Sequence, residues 1–510
     1  MKKKDNPSNV HKEQIPPSNL FYNLMEETLS DISYRDIQAE AQKLLQEFKA
    51  IPHSEVLSQL LGQIGAADFR ELAGISDANE RLRKKHFLIC CVEKILHIAL
   101  ENNWGICRRY DFIYLYNGAY WRQIEVPELQ TFLGAAAEKL GIDKFDARLY
   151  SFREQLYRQF LSASHLPAPD NSKGPVLINL KNGTFEIGTY HQKLRAPNPA
   201  DFITYQLPFP YDPLASAPIF QEYLNKVQPD PARQLILAEY IGYLFIRTKT
   251  MKLEKTLLLY GTGANGKSVF FDVINALLGG NANVSNYSLQ NLTNENGYYR
   301  AMIANKLVNY ASEINGKLEA AIFKQLVSGE PVEARMPYGL PFTLTDYAKL
   351  IFNCNELPKE VEQSHAFFRR FLIIPFEVTI PESEQDKQLS QKIINQELSG
   401  VFNWVLAGLQ RLLKQRNFTW CEAVENQVSI YKRQSDSVQM FLDEEGYEIS
   451  ITDHQPLKDL FHQYRTYCLE SGFHSCSLKT FSERLKHLGF LIERKNYGNV
   501  VNIIRSNGLE

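Results

Sequence analysis

The sequence lacks paired cysteines. Its 510 residues include seven cysteines, an odd number, and none of them forms a C-x-x-C pair. This pattern argues against a disulfide framework and against a zinc ribbon. A reducing cytoplasm is therefore the expected location.

Also missing are a signal peptide and a transmembrane segment. Residues 1–19 are rich in Lys, Asn and Pro and contain no apolar core of the kind that a signal peptide needs. The sequence contains no run of about 18 apolar residues that could cross a bilayer. We therefore expect a soluble protein with no membrane partner.

An excess of basic charge is absent as well. The 56 basic and 58 acidic residues give a formal net charge of −2. This balance argues against a protein that coats nucleic acid with its outer surface, but not against a ring whose DNA contacts lie in a narrow channel. Hydrophobic residues make up 44% and charged residues 22%, as in ordinary globular proteins, and the length favours two to four domains.

The character of the sequence changes several times along the chain. A proline-rich stretch at 197–218 is predicted to be a surface linker, and from residue 252 short apolar strands alternate with helices, which is typical of an α/β core. We expect five parts: a tail with a helical docking or oligomerisation segment (1–84), a mixed helical and β-hairpin domain (85–250), the α/β core (251–381), a helical connector (382–434) and a C-terminal domain (435–510).

The clearest functional motif lies at the start of the α/β core. Residues 261–268 read GTGANGKS and match G-x-x-x-x-G-K-[ST] in full, between an apolar strand at 256–260 and a helix predicted over 268–278. Glycines let backbone N–H groups surround a β-phosphate, and the helix N-terminus adds partial positive charge. Lys267 would neutralise the β- and γ-phosphates, and Ser268 would bind Mg²⁺. The motif predicts ATP and Mg²⁺ as ligands, with the nucleotide held by Gly261, Thr262, Gly263, Ala264, Asn265, Gly266, Lys267, Ser268 and Val269.

A second apolar strand, at 307–311, leads to Ser312 and Glu313. An acid at the end of such a strand, the Walker B position, can help to hold the metal and can polarise the attacking water. Glu313 could equally be an ordinary surface glutamate at a strand end. Because Ser312 rather than a second acid precedes it, the division between metal binding and water activation stays open.

Two further elements follow the Walker B strand. The strand at 349–355 ends in Asn355, whose amide can orient the lytic water or contact the γ-phosphate in the sensor-1 role. Arg369 and Arg370 then stand between aromatic residues at the start of another strand, where a cation is costly to bury without a partner. The γ-phosphate on a neighbouring subunit would partner one of them as an arginine finger. An intramolecular salt bridge is expected for at least one of the pair, and which of them acts in trans stays open.

The order of these blocks resembles a known family. Superfamily 3 helicases, and specifically the phage/plasmid and poxvirus-type primase-helicase family, carry a similar compact series. The matching segments here are the P-loop at 261–268, Glu313, KQLVSGEPVEAR at 324–335, NCNELP at 353–358 and the two arginines at 369 and 370. Upstream, LKNGTF at 180–185, YQLPFPYDP at 205–213 and EYIGY at 239–243 resemble the helical domain that precedes the motor in that family.

The resemblance implies an AAA+-type P-loop ATPase that forms a hexameric ring and pulls one DNA strand through its pore. In such rings a hairpin between the Walker B and sensor-1 strands lines the pore, which corresponds here to residues 334–341. Arg335 and Tyr338 are the candidate DNA contacts, since Arg can pair with phosphate and an aromatic ring can stack on a base. The tip, MPYG at 336–339, lacks the lysine that many relatives carry. This departure concerns the identity of the pore residues and not the presence of the hairpin.

The C-terminal domain is predicted to be a winged helix. Helices at 455–470 and 477–488 precede a hairpin at 490–505, and basic residues outnumber acidic ones around the second helix and the hairpin. This excess suits contact with a phosphate backbone, and contacts with protein or ring packing are the alternative use of the domain. The candidate DNA contacts are Lys479, Arg484, Lys486 and Lys495.

The sequence therefore predicts an ATP-dependent DNA helicase that acts on single-stranded or forked DNA during replication of a phage, plasmid or other mobile element. The first 250 residues show neither a D-x-D pair on a strand nor a Cys/His set, so a primase or polymerase is expected as a separate partner. One alternative is an ATP-switched origin-binding or loading protein, which would not need Arg335 and Tyr338 for its ATP-dependent function. Another is a small-molecule P-loop kinase, which would act as a monomer without an arginine in trans.

Overall fold

A computed structural model gives the fold of the chain. It describes residues 50–77, 79–109, 112–164, 174–312, 314, 318–337, 339–358 and 361–506. The predicted tail and most of the first helical segment, together with Glu313 and Tyr338, lie outside the described residues.

The first described unit combines helices with a small antiparallel sheet. Apolar residues of its longer helices share one core with Ile106, Ile113 and Leu115 of the sheet, whose strands pair in the order β1-β2-β3. Because the helix α1 packs into this core, the unit extends across the predicted boundary between residues 84 and 85. The elements are α1 (His53–Gln63), α2 (Phe69–Leu72), α3 (Lys84–Glu101), β1 (Gly105–Arg109), β2 (Phe112–Tyr116), β3 (Trp121–Ile124), α4 (Val126–Leu140), α5 (Lys144–Arg148) and α6 (Tyr150–Ala163).

A second antiparallel sheet consists of β4 (Val176–Leu180), β5 (Gly183–Ile187) and β6 (Gln192–Arg195). The proline-rich stretch that follows is not the predicted surface linker, because Leu207, Phe209 and Tyr211 are buried in the same core as Phe185. The side chain of Asn182 donates to the carbonyl of Tyr211 and accepts from its N–H, at 2.9 and 2.8 Å. Prolines prevent regular ladders, but a side chain that pairs the backbone polar groups allows such a segment to be buried.

The central part of the protein is built around a parallel sheet, which confirms the predicted α/β core. Within the described residues its order is β13-β7-β12-β9-β8, and the parallel pairing aligns Tyr260, Cys354 and Pro375 at the carboxyl end. Its elements are α7 (Pro218–Val227), α8 (Pro231–Tyr243), β7 (Thr256–Tyr260), α9 (Lys267–Leu277), β8 (Val284–Ser285), α10 (Leu289–Thr293), α11 (Tyr298–Ala301), β9 (Val308–Ala311), α12 (Ala320–Ser328), β10 (Val332–Arg335), β11 (Pro341–Leu344), β12 (Lys349–Cys354), α13 (His365–Phe368) and β13 (Phe371–Pro375).

The helices α14 (Leu389–Gln396), α15 (Leu398–Gln415) and α16 (Glu422–Gln434) follow the sheet. They were predicted to form a connector, but α15 packs along α8 so closely that a Cβ at Gly408 would lie 2.4 Å from the carbonyl carbon of Ala238. Apolar residues of α8, α14 and α15 share the core of the sheet with β4 and β5. Residues 174–250 and 382–424 therefore belong to the same packed body as the P-loop strand.

A buried carboxylate joins α8 to α15. Glu239 is fully buried, and it accepts hydrogen bonds from the Nε of Arg411 at 2.5 Å and the Nε2 of Gln415 at 3.0 Å. The backbone N–H and the hydroxyl of Thr419 donate to it as well, at 2.8 and 2.6 Å. All of these donors converge on one charged group, so its removal leaves a largely buried arginine without its anion.

Glu239→Ala is therefore expected to lower the free energy of unfolding by about 3 to 5 kcal/mol, since breaking a buried pair leaves an uncompensated charge. Thermal melting by calorimetry measures the effect. The exposed Glu222 on α7 provides the matched control, and Glu222→Ala should change stability by less than about 0.5 kcal/mol. Equal melting temperatures for the two variants would contradict the structural role of Glu239.

The C-terminal unit has its own apolar core, formed by residues between Val438 and Ile503. The two predicted helices and the hairpin are present, preceded by one more helix, α17. The small sheets have the orders β15-β17-β16 and β14-β18. The elements are α17 (Ser437–Glu444), β14 (Tyr447–Ile449), β15 (Gln455–Pro456), α18 (Leu457–Glu470), α19 (Leu478–His487), β16 (Ile492–Lys495), β17 (Gly498–Val501) and β18 (Ile503–Arg505). Among the described residues of the whole chain, no helix has the length and apolarity that a bilayer span requires.

Candidate functional site

The loop between β7 and α9 has the backbone conformation that its glycines permit. Gly263 and Gly266 have φ angles of 115° and 87°, a region that L side chains rarely adopt. The space at Gly266 is also limited, because an added Cβ would lie 2.7 Å from the Cγ1 of Val227. Helix α9 begins at Lys267, one residue before the predicted start, and the exposed Ser268 lies in its first turn. The first N–H groups of a helix have no partner within the helix, so a helix start after a glycine-rich loop suits phosphate binding.

Neighbouring strands hold the loop in place. The N–H of Gly261 donates to the carbonyl of Cys354, the last residue of β12, at 3.1 Å. The Nδ2 of Asn265 donates to the carbonyl of Phe376, directly after β13, at 3.1 Å. Since β12 and β13 flank β7, both contacts connect the loop to the rigid end of the sheet.

Lys267 is buried inside the loop. Its Nζ donates to the carbonyl of Gly261 at 2.5 Å and to the Oδ1 of Asn265 at 3.1 Å. Burial lowers the pKa of Lys267, and burial raises the pKa of the neighbouring Cys354 thiol to about 12, so that this thiol is neutral. A buried amine beside a glycine-rich loop and a helix start fits the β- and γ-phosphates of a nucleoside triphosphate.

The predicted metal ligands are only partly described. Within the described ranges, no group of three or more His, Cys, Asp or Glu side chains could hold a metal ion. Ser268 is exposed at the start of α9, where a hydroxyl suits the Mg²⁺ that accompanies a nucleoside triphosphate. Ser312, directly after β9, is exposed, while Glu313 lies outside the described residues.

The sensor-1 segment contains two asparagines with different surroundings. Asn355 is exposed directly after β12, next to the P-loop, because Cys354 pairs with Tyr260 in the parallel ladder. Asn353 is buried, and its Oδ1 accepts from the hydroxyl of Tyr310 in β9 at 3.0 Å. Asn355 therefore lies exposed beside the P-loop, whereas Asn353 connects the two strands.

The paired arginines lie at the opposite, amino-terminal edge of the sheet. The side chain of Arg369 is 48% exposed, and its guanidinium contacts Glu254 at 2.6 Å. Arg370 is buried and donates to the Oγ of Ser328 at 2.9 Å and to the carbonyl of Ala366. An intramolecular salt bridge is therefore present, and its carboxylate is Glu254, which lies 3.7 Å from Arg370 as well.

The charge of Glu254 is maintained by these cations. Burial alone would raise its pKa, but a hydrogen bond from Lys252 and the charges of Arg369 and Arg370 lower the pKa of Glu254. Arg370 is thus fixed inside the chain, while Arg369 remains half exposed at the surface.

The predicted hairpin is present between α12 and β12. Its strands β10 and β11 pair antiparallel from Val332↔Leu344 to Arg335↔Pro341. Leu340 in the tip is 87% exposed. Arg335 donates to the hydroxyl of Tyr298 at 2.6 Å, and its guanidinium lies 5.0 Å from the centroid of that ring. The second candidate contact, Tyr338, lies outside the described residues.

The four predicted DNA contacts of the C-terminal unit differ in their exposure and in their hydrogen-bond partners. Lys479 and Lys486 are exposed on α19. Arg484 donates to the Oδ1 of Asp436 at 3.0 Å, so its charge is partly compensated within the unit. Lys495 lies 3.0 Å from the Nε2 of His454. Lys479 and Lys486 are therefore the most accessible of the four predicted contacts.

One residue that contacts the P-loop could not be recognised from the sequence. Tyr223 of α7 is buried, and its hydroxyl donates to the carbonyl of Gly266 at 2.8 Å. It lies far from the P-loop along the chain, and no motif marks it. Only the packing of α7 against the start of α9 brings it to the loop.

Three families match consecutive parts of the chain. Residues 79–229 match the family described as "D5 N terminal like", and residues 433–507 match "Poxvirus D5 protein-like". Residues 259–370, which contain the P-loop, the hairpin and the paired arginines, match a family of unknown function (DUF5906).

Similar proteins were also found among curated sequences and solved structures. The chain is 23% identical over 342 residues to "Putative helicase 121R" of Invertebrate iridescent virus 3, a stretch that covers 59% of this chain and 35% of that protein. The chain thus spans about a third of the length of this relative. Two apo structures of the NrS-1 C-terminal region align with TM-scores of 0.45, at 14% and 15% identity, over 81% of this chain and 98% of theirs.

Proposed function

Since the chain belongs to the phage- and poxvirus-type primase-helicase family, we propose that it is an ATP-driven DNA helicase of superfamily 3. In this proposal six copies form a ring that moves along single-stranded DNA while a phage, plasmid or other mobile element is replicated in the cytoplasm. A separate primase or polymerase would supply the synthesis.

The placement of Arg369 carries the proposal. Arg369 lies two residues before the paired start of β13, and the P-loop follows the other end of β7, which pairs with β13. Five residues of strand separate the two edges by roughly 15 Å, which is more than an arginine side chain can span. A half-exposed guanidinium in this position can reach a γ-phosphate only on a neighbouring copy, and a ring of copies supplies one at each interface.

The residues of the nucleotide site then have complementary roles. Lys267 neutralises the β- and γ-phosphates, and Ser268 together with Glu313 would hold Mg²⁺. Asn355, exposed beside the loop, would orient the lytic water. With Arg369 supplied by the neighbour, hydrolysis depends on assembly.

The hairpin is the part that would grip DNA. It projects from the sheet edge that carries Arg369, because β11 leads directly into the start of β12. Residues 336–340 at its tip would line the pore, where Tyr338 could stack on a base. The C-terminal unit has the helix, helix and hairpin sequence of a winged helix, and its exposed Lys479 and Lys486 would contact the phosphate backbone.

Tyr338→Ala is expected to weaken binding of single-stranded DNA by about 5- to 100-fold, which corresponds to the loss of one stacked base. Unwinding of a forked duplex should be lost in parallel. Anisotropy with a labelled oligothymidine measures the binding, and displacement of a labelled strand measures unwinding. Tyr190→Ala, which removes an exposed tyrosine between β5 and β6, is the matched control and should retain both.

A loading protein would give a different result in this experiment. It would assemble on DNA with ATP, it would not displace a strand as the wild-type protein, and Tyr338→Ala would leave its ATP-dependent assembly intact. These three results together would support a loading protein instead of a helicase.

A further inference from the structure

A cavity of about 240 Å³ lies at the amino-terminal edge of the central sheet. Its walls come from β1 and β2 of the first unit, from the start of β4, from the segments 202–205 and 244–250, from β11, and from the loops that precede β9 and β12. The P-loop lies at the opposite edge of the sheet, so this cavity is separate from the nucleotide site.

The cavity is rich in positive charge although the chain as a whole is not. Four cations line it, and Asp346 is the one carboxylate among the described lining residues. The cations are Arg109, Arg247, Lys306 and Lys349. This excess contrasts with the 56 basic and 58 acidic residues of the chain, and it favours an anionic ligand.

Three of these cations bond to carbonyl oxygens, which do not neutralise their charge. Arg247 donates to the carbonyl of Asp201 at 3.2 Å, and Lys349 donates to that of Ile246 at 2.5 Å. Lys306 donates to the carbonyls of Asn281 and Ala282, at 2.8 and 2.9 Å. Burial lowers the pKa of Lys349 to about 8, and a bound anion would favour its charged form again.

Aromatic rings line the same cavity as the four cations. The guanidinium of Arg109 lies 4.1 Å from the centroid of the Phe202 ring. Phe112 and Phe342 meet edge to face, with their centroids 5.8 Å apart. Cations combined with aromatic faces and edges are typical of surfaces that bind single-stranded nucleic acid, where phosphates pair with the cations and bases stack on the rings.

The hairpin forms one wall of this cavity. Phe342 belongs to β11 and is the second residue after the exposed Leu340 of the tip. At roughly 3.3 Å per residue, the tip and the cavity are within one or two nucleotides of each other. A strand that passes the tip can therefore continue into the cavity.

We propose that this cavity binds one or two nucleotides of the single-stranded DNA that passes the hairpin. The inference rests on the proposed helicase function, because it concerns the path of the same DNA strand. The first unit, which supplies Arg109 and Phe112, then forms one side of the DNA path in addition to any docking role.

The test compares DNA binding by charge variants at several salt concentrations. Arg247→Gln combined with Lys306→Gln should weaken binding of an oligothymidine by about tenfold or more, and it should reduce the slope of log K against log salt by roughly 1 to 1.5. Lys387→Gln combined with Lys414→Gln removes the same charge from exposed positions elsewhere and should change neither quantity. Asp346→Asn should tighten binding several-fold, a gain that damage to the fold would not produce.

Photocrosslinking of the wild-type protein provides a second measurement that depends on no variant. Oligothymidine with 4-thiothymidine should crosslink to Phe112, Phe342 or Tyr347, and fragmentation must assign the crosslink to a single residue because residues 336–349 fall in one tryptic peptide. Crosslinks confined to residues 336–340, or cavity variants that bind DNA as the lysine controls do, would overturn the inference and leave the helicase proposal standing. If the wild-type protein binds no single-stranded DNA, the helicase proposal itself fails. In that case, saturable binding of thymidine monophosphate that is lost in Arg247→Gln would indicate that the cavity is a site for a free nucleotide.

Discussion

Lys267→Ala is expected to reduce the rate of ATP hydrolysis by about 10²- to 10³-fold or more, the effect of removing one preorganised charge that faces the reacting phosphates. The amine lies inside the loop, between the carbonyl of Gly261 and the side chain of Asn265, and no other described cation lies in the loop. A coupled assay for released ADP measures the rate. Lys387→Ala, which removes an exposed lysine after the sheet, is the matched control and should retain full activity.

The loss of ATP hydrolysis in Lys267→Ala should not be accompanied by unfolding. Burial lowers the pKa of Lys267, so the folded state holds this proton less tightly than the unfolded state does. Stability therefore rises with pH between the folded and the unfolded pKa, and below both values the buried charge costs free energy. At neutral pH the alanine variant should melt at the same temperature as the wild type or above it. A lower melting temperature would show that lost activity reflects damage to the fold.

Arg369→Ala is expected to reduce the rate constant of ATP hydrolysis by about 10³-fold or more, as the loss of an arginine finger does. Affinity for ATP should change little, because Arg369 lies at the sheet edge away from the P-loop of its own chain. Arg369→Lys retains a charge but not the planar fork, so it should restore only a small part of the rate. Steady-state hydrolysis and binding of a fluorescent ATP analogue separate the two effects.

Mixing two inactive variants shows whether Arg369 acts in trans. A subunit with Arg369→Ala keeps an intact P-loop, and a subunit with Lys267→Ala keeps an intact Arg369. In rings formed from equal amounts of both, about a quarter of the interfaces combine the two intact halves, and hydrolysis should recover accordingly. No recovery in mixed rings of confirmed composition would contradict a finger in trans.

Arg370 should behave differently from its neighbour. It is buried and bonded to Ser328 and Ala366, so its replacement by alanine removes contacts inside the chain. The melting temperature of Arg370→Ala should fall. When this variant is mixed with Lys267→Ala, hydrolysis should not exceed what the folded fraction of Arg370→Ala accounts for. The sequence placed the two arginines together, and only their burial separates the structural one from the candidate finger.

The local motifs could be predicted from the sequence because their chemistry requires adjacent residues. The P-loop between β7 and α9, the hairpin at 332–344 and the two helices of the C-terminal unit are all present. Their signals are short-range: glycines where the backbone needs them, an apolar strand before and an apolar helix after.

Features that depend on distant contacts could not be predicted. The hydrophobic cores extend across the predicted domain boundaries at 84, 250 and 381. The helices α1, α8 and α15 belong to cores whose other residues are far away in the chain. Glu239 appeared only as part of a family segment, and its role follows from Arg411 and Thr419 on a later helix and loop. The basic cavity likewise assembles its four lining cations from four separate segments of the chain, each of which contributes one.

In the proposed function, ATP hydrolysis in a ring drives movement on DNA. The most direct test is the ATPase rate of the wild-type protein with and without single-stranded DNA, together with fork unwinding and the mass of the assembly by analytical ultracentrifugation. We predict a hexamer whose hydrolysis is stimulated by DNA and which displaces a strand only with hydrolysable ATP. Hydrolysis by a monomer that does not respond to DNA would contradict the helicase proposal.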